Sequence, residues 1–251
     1  MKILTWNCNG ALRRKIEFLD SFAADVLIIQ ECEDPSKYKG DYLNWAGNYL
    51  WKGNNKNKGL GVFVKNGHHL SALPWKGSYT IPGILDLHPS ASWTTDELKI
   101  FLPVAVNNHL KILAVWTKGS DQEAFGYIGQ LWKYLQIHRE DLSVPSTLLV
   151  GDLNSNVIWD KPDRWWSHSG VVKELNQVGL QSVYHHQTDE SQGLEKSPTF
   201  YLHRNKSKPY HIDYVFASSD LINACHLEIG TFEEWIDKSD HMPLVVELNR
   251  A

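Results

Sequence analysis

"VPSTLLVGDLNSNVIWD", Val144–Asp160, is the stretch on which the reading of the fold turns. Leu148, Leu149 and Val150 form an unbroken apolar run that reads as a buried strand. The run then ends in a carboxylate, Asp152, and an amide, Asn154. Side chains alternate across a strand, so these two share a face as long as the backbone stays extended. One such pair is ordinary turn chemistry, because Asp and Asn bond to their own nearby backbone. It becomes informative when the pattern recurs.

It does recur. "KILTWN" alternates and ends in Asn7, and "ADVLIIQE" is an apolar run ending in Glu31. "HIDYVF" carries Asp213, and "SDHMPL" places Asp240 and His241 just before Pro243. Taken singly, Asp213 reads as a turn acid, Asn7 as a strand-end hydrogen bonder and His241 as a packed loop histidine. Taken together, they put four acids, two amides and a histidine at strand ends. Such carboxylates are costly to desolvate unless they are paired or bind a cation. Their oxygen-rich chemistry suits Mg²⁺ or Mn²⁺ better than Zn²⁺.

Length and composition bound the rest. The 251 residues are 42% apolar, enough for one sizeable core. A net charge of −4 offers no global basic field, so a nucleic-acid enzyme would need a local cationic patch. The three cysteines show neither a CxxC pair nor zinc spacing, which fits a reducing, cytoplasmic setting. No charged leader and no membrane-length apolar run is present, so a membrane partner is not expected. Cys8 and Cys32 each follow a candidate site residue. Strand parity makes them buried structural thiols, with an oxidative link as the sharper alternative.

Spacing predicts a helix over Ala11–Phe22, a second around Phe125–Leu135, and a third beginning at N-cap Ser169 and ending at Gly179. Asn107–Asn108–His109 reads as a hairpin turn. "PTFYLHR" and "YHIDYVFAS" read as a strand pair around "NKSK". There is no repeat and no linker, so residues 1–251 are read as a single domain.

"TWNCNG", "IIQE", "GDLNSN", "HIDYVFAS" and "SDHMPL" resemble, in order and from first strand to last, the motifs of the endonuclease/exonuclease/phosphatase superfamily. That family includes exonuclease III-like, abasic-site endonuclease and deoxyribonuclease I-like enzymes. The resemblance implies an α/β four-layer sandwich, with two mainly antiparallel sheets face to face and helices on the outer faces. It implies a monomeric, divalent-metal-dependent phosphodiester hydrolase, most simply a DNA-directed nuclease, in which a metal-activated water aligned by Asp152 attacks in line. Glu31 and Asp240 would hold Mg²⁺ or Mn²⁺, with Asn7 beside it. Asn154 would hold water and phosphate. His241 would donate to the scissile phosphate, with Asp213 fixing its tautomer.

"ILAVWTKG" departs from the family pattern by placing Trp116 where nuclease relatives carry Tyr or His, which leaves Lys118 as an alternative phosphate contact. Trp116 can donate from its indole nitrogen but cannot titrate; as part of an apolar strand it also reads as core. Trp165 and Trp166, next to Arg164, suit stacking on bases of frayed or single strands, or packing on their own loop. The resemblance puts Phe200 and Tyr210 where abasic-site enzymes form an apolar sugar pocket, with core packing an equal reading of Phe200. Lys52, Lys56 and Lys58 form a loop that either grips phosphates or is simply solvated. The alternative activity is a phosphatase or phosphodiesterase acting on RNA ends, small nucleotides or inositol phosphates. A catalytically silent binding domain is disfavoured, because every expected acidic position is kept.

Overall fold

The computed structural model describes residues 1–83, 91–120 and 123–249. Two six-stranded sheets stack face to face. The first contains β1 (Lys2–Asn7), β2 (Val26–Cys32), β3 (Asn48–Asn55), β4 (Lys58–Val64), β15 (Cys225–Ile229) and β16 (Leu244–Leu248), in the order β15-β16-β1-β2-β4-β3. The second contains β5 (Leu70–Ala72), β8 (Phe101–Val106), β9 (Leu110–Trp116), β10 (Thr147–Asp152), β11 (Leu180–Ser182) and β14 (Asp213–Ser218), in the order β11-β14-β10-β9-β8-β5. Two small hairpins, β6 (Ser78–Thr80) with β7 (Ser92–Thr94) and β12 (Phe200–Tyr201) with β13 (Pro209–Tyr210), flank them. Each large sheet has one parallel pair at its centre, β1 with β2 and β9 with β10, and is otherwise antiparallel.

Alternation along the strands sorts the side chains into layers. Ile3, Val26, Ile28, Ile112, Ala114, Leu148, Val150 and Val215 fill the space between the sheets. Leu4, Trp6, Leu27 and Ile29 face outward and pack beneath α1 (Ile16–Asp20), α2 (Asp41–Ala46) and α6 (Phe232–Trp235). Leu113, Leu149, Tyr214 and Phe216 pack beneath α3 (Ile128–Leu142) and α4 (His168–Gln177). The short α5 (Val183–Thr188) follows β11. These are the four layers that the motif resemblance implies.

Local chemistry moves several helix boundaries. The helix expected over Ala11–Phe22 is a turn at Leu12–Arg14 followed by α1, because Ala11 is left-handed (φ 54°) and Lys15 is non-helical. Leu12 and Leu19 are nevertheless buried as their spacing requires. The second helix starts at Ile128, after left-handed Tyr127, and not at Phe125. α4 is capped by Ser167, whose Oγ accepts from the Gly170 amide at 3.1 Å; Ser169 is already inside the helix. Gly179 (φ +83°) ends that segment as expected. "YHIDYVFAS" divides: Tyr210, in β13, pairs with β12 as a hairpin, while β14 joins the large sheet beside β10. Cys8 and Cys32 are buried free thiols, and burial pushes both thiol pKa values up.

Candidate active site

The inward-facing row of each central strand is apolar for most of its length and polar at its last position. Ile3 leads through Thr5 to Asn7, and Leu148 through Val150 to Asp152. Asp152 lies opposite Asp213 in one neighbouring strand and Trp116 in the other, so all three share the inner face. The polar cluster is therefore built where the inter-sheet core reaches its rim, from residues of both sheets.

Three groups come close together. Asp152, Asp213 and His241 each offer an atom within 4.8 Å of the other two, and all three are buried. His241 Nδ1 donates to Asp213 Oδ2 at 2.9 Å. Asn7 Nδ2 crosses from the opposite sheet to donate to Asp152 Oδ2 at 2.9 Å. The Asn154 backbone N–H donates to Asp152 Oδ1 at 2.8 Å, and its Nδ2 to Oδ2 at 3.0 Å. The convergence of Asp152 and Asn154 does not come from extended backbone, as alternation suggested. Asn154 is left-handed (φ 45°), and this turn folds its amide back over the carboxylate. Gly151, at φ +143°, lets β10 approach β9: an added Cβ would lie 2.0 Å from the Val115 carbonyl oxygen.

Burial, and then the nearby Asp213 charge, push the Asp152 carboxyl well above the usual carboxylate range. Burial alone would lower His241. The carboxylates of Asp213, Asp152 and Asp240 outweigh it and raise the imidazole to about 9. Both shifts favour keeping protons in the cluster, with the His241 Nδ1–H committed to Asp213.

Glu31 stands apart from these three. It is the extra residue of a bulge between Gln30 and Cys32, in a left-handed conformation (φ 60°). Strict alternation would send it outward with Leu27 and Ile29; the bulge re-aims it. Its carboxylate forms an ion pair with Lys58; the expected basic loop is in fact a hairpin, with Lys52 in β3 and Lys58 at the start of β4. Asp240 Oδ1 accepts from Asn9 Nδ2 at 2.9 Å, and the Asn9 amide donates to Asn7 Oδ1 at 3.0 Å. Asn9 therefore ties the Asn7 and Asp240 positions together. Sequence reasoning missed it, although its i+2 spacing from Asn7 in "NCNG" was available. Left-handed non-glycine residues recur here, at Asn9, Glu31 and Asn154.

The remaining candidates lie further out. Trp116 is 4% exposed within the inter-sheet core beside Asp152, and Lys118 Nζ sits 4.3 Å above its ring. Trp165 is 58% exposed and perpendicular to half-buried Trp166, whose ring packs 4.5 Å from Phe125. Tyr210 pairs with Phe200, whose ring lies 4.6 Å from His241. Thr199 Oγ1, unremarked in the sequence, accepts from the amides of Ile212 and Asp213 and fixes the start of β14.

The two-sheet sandwich thus carries buried carboxylates, a paired histidine and asparagines at one rim. The family model for the endonuclease/exonuclease/phosphatase family matches residues 4–241, and the chain belongs to that family. Solved structures share the fold at low identity. The 3′ phosphatase NExo from Neisseria, bound to a product DNA hairpin, is 17% identical with a TM-score of 0.69, covering 100% of both chains. An AP endonuclease from Archaeoglobus fulgidus is 16% identical with a TM-score of 0.69, again covering 100% of both chains. The 3′–5′ exonuclease NExo from Neisseria meningitidis is 18% identical with a TM-score of 0.68 and the same coverage. No curated protein sequence matches the chain. No helix of the described residues is long and apolar enough to cross a membrane.

Proposed function

We propose that this protein is a divalent-metal-dependent phosphodiester hydrolase acting on DNA. The observation that carries the reading is the buried Asp152–Asp213–His241 cluster bound by Asn7 and Asn154. A divalent cation, which family membership implies, fits the donors at this rim. Glu31, Asp240 and Asn7 would offer oxygen ligands, and the carboxylates of Asp152 and Asp213 lie opposite one another in register. Glu31 and Asp240 would hold Mg²⁺ or Mn²⁺. When bound, the ion supplies Lewis-acid neutralisation of phosphoryl charge.

The chain's own groups do the rest. Asp152, once ionised, accepts a proton from an attacking water and orients it. Asn154 keeps that carboxylate aligned through two hydrogen bonds, its Nδ2 also donating to the Thr117 carbonyl at 3.2 Å, and its Oδ1 would accept from the attacking water. His241, protonated, donates Nε2–H to a non-bridging phosphate oxygen while Nδ1–H stays on Asp213. Asp213 is a positioning residue: it selects the ring orientation and sustains the imidazolium. Lys118 and the rings of Trp165, Trp166 and Tyr210 are candidate contacts to the nucleic acid, with Trp116 bordering the site. We assign this work to a monomer acting as one domain in the cytoplasm, where its free thiols stay reduced.

The test is hydrolysis of plasmid DNA, an abasic-site duplex, a 3′-phosphorylated oligonucleotide and a generic diester, with Mg²⁺ and with EDTA. DNA cleavage or diester hydrolysis that needs Mg²⁺, and falls at least ~100-fold in kcat in both Asp152→Asn and His241→Ala, is expected. Release of inorganic phosphate with no diester cleavage would replace the reading with a phosphatase.

A further inference from the structure

The loop that follows β10 folds back toward the start of α3 and leaves a cleft of about 610 Å³. Asn154 lines one end, so the cleft adjoins the reacting centre. Trp159, Lys161 and Arg164 also line it. Asp160 is there too, but its carboxylate is occupied by the amides of His168 (2.7 Å) and Ser169 (3.0 Å) at the start of α4. The free charge offered to a ligand is thus positive. Trp159 is 47% exposed, and its ring lies 5.1 Å from Tyr210. Tyr210 is 6.4 Å from Phe200, and Phe200 is 4.6 Å from His241. A row of rings therefore runs from the catalytic histidine to the cleft.

We propose that this cleft is a subsite for one unpaired nucleotide neighbouring the scissile phosphate. Its base lies against Trp159, and its phosphate lies between Lys161 and Arg164. The volume is that of a small-ligand site, enough for a nucleotide and far too small for a duplex. Rings beside cations are the chemistry by which proteins hold single strands without reading sequence. Trp165 and Trp166 are less suited, because they stand perpendicular and Trp166 is packed on Phe125. The subsite rests on the nuclease reading and makes it specific: the enzyme acts at frayed or single-stranded DNA.

Anisotropy of a fluorescein-labelled deoxytrinucleotide on the Asp152→Asn protein with Mg²⁺ reads the subsite without turnover. Adding Trp159→Ala should raise Kd roughly 5- to 150-fold, the range for one lost base–aromatic stack. Arg164→Gln should raise Kd and reduce its salt dependence. Blunt duplex should compete poorly. No binding by the parent, an unchanged Kd in Trp159→Ala, or equal competition by duplex overturns the subsite. Hydrolysis of the generic diester by the unaltered protein judges the hydrolase reading separately. Its absence with trinucleotide binding intact would remove that reading and the place beside a scissile phosphate, so the subsite as proposed would fall while nucleotide binding in the cleft remained.

Discussion

Replacing Asp213 with Asn changes one oxygen to an NH₂ at a 2% exposed position and should disable the enzyme through His241. Asp213 is the first of the charges that raise the imidazole from 6.5 to about 9. That rise corresponds to about 3 kcal/mol of preference for imidazolium. Without Asp213 the imidazole loses its largest raising charge and its hydrogen-bond partner, so the His241 titration should move down, with only Asp152 and Asp240 left to oppose burial. The asparagine amide also donates to Nδ1 as readily as its carbonyl accepts, so the ring tautomer is no longer selected. Loss of a positioned charged donor typically lowers kcat by ~10²–10³, and the fall should appear in kcat with KM little changed. Stability supplies a second readout. A folded-state pKa above the unfolded value stabilises fully below about 6.5, and that stability is lost as pH rises through about 9. The Tm gap between wild type and Asp213→Asn should be widest at the acid end of that window. It should reverse once the imidazole is neutral, because Asp152 then no longer faces a second carboxylate. Single-turnover kinetics and an NMR titration of the His241 ring measure both. An unmoved ring titration with wild-type kcat would refute the reasoning.

EDTA should abolish hydrolysis, and Glu31→Gln should weaken Mg²⁺ affinity at least ~10-fold by calorimetry with little change in Tm, because its Lys58 pair is half-exposed. Wild-type affinity in that variant would remove Glu31 from the metal. Gly151→Ala should destabilise by roughly 1–3 kcal/mol from backbone strain alone, with the clash against Val115 added; an unshifted urea midpoint would contradict the close approach of β9 and β10. Trp116→Phe should cost about 1–2 kcal/mol of stability while the folded protein keeps its specific activity, as befits a core ring. A large kcat loss at constant Tm would instead put that ring on the phosphate.

The sandwich was legible because its strands carry strong alternation and its motifs occur in order. Asn7 and Asp152 stand out because each ends an inward-facing apolar row, and Asp213 because it opens one. Other features were hidden where backbone departs from regular geometry. Nothing in "IIQEC" announces that Glu31 sits in a bulge, yet the bulge sets its aim. The Asn154 turn was read as extended strand for the same reason. Asn9 and Thr199 act through contacts to segments remote in sequence, which no local pattern carries. The helix starts were displaced by left-handed Ala11 and Tyr127, residue types that rarely mark a break.

The place of β16 between β15 and β1 bears on how the molecule is made. β1 cannot complete its sheet until Leu244–Leu248 arrives to pair with Lys2–Thr5. Asp240 and His241 lie on the segment that delivers that strand. While the ribosome is still translating, the emerging chain therefore holds an unpaired strand flank and an incomplete reaction centre. The reaction centre is then completed only when the last strand docks, and until that moment the waiting edge of β1 is exposed to misassociation.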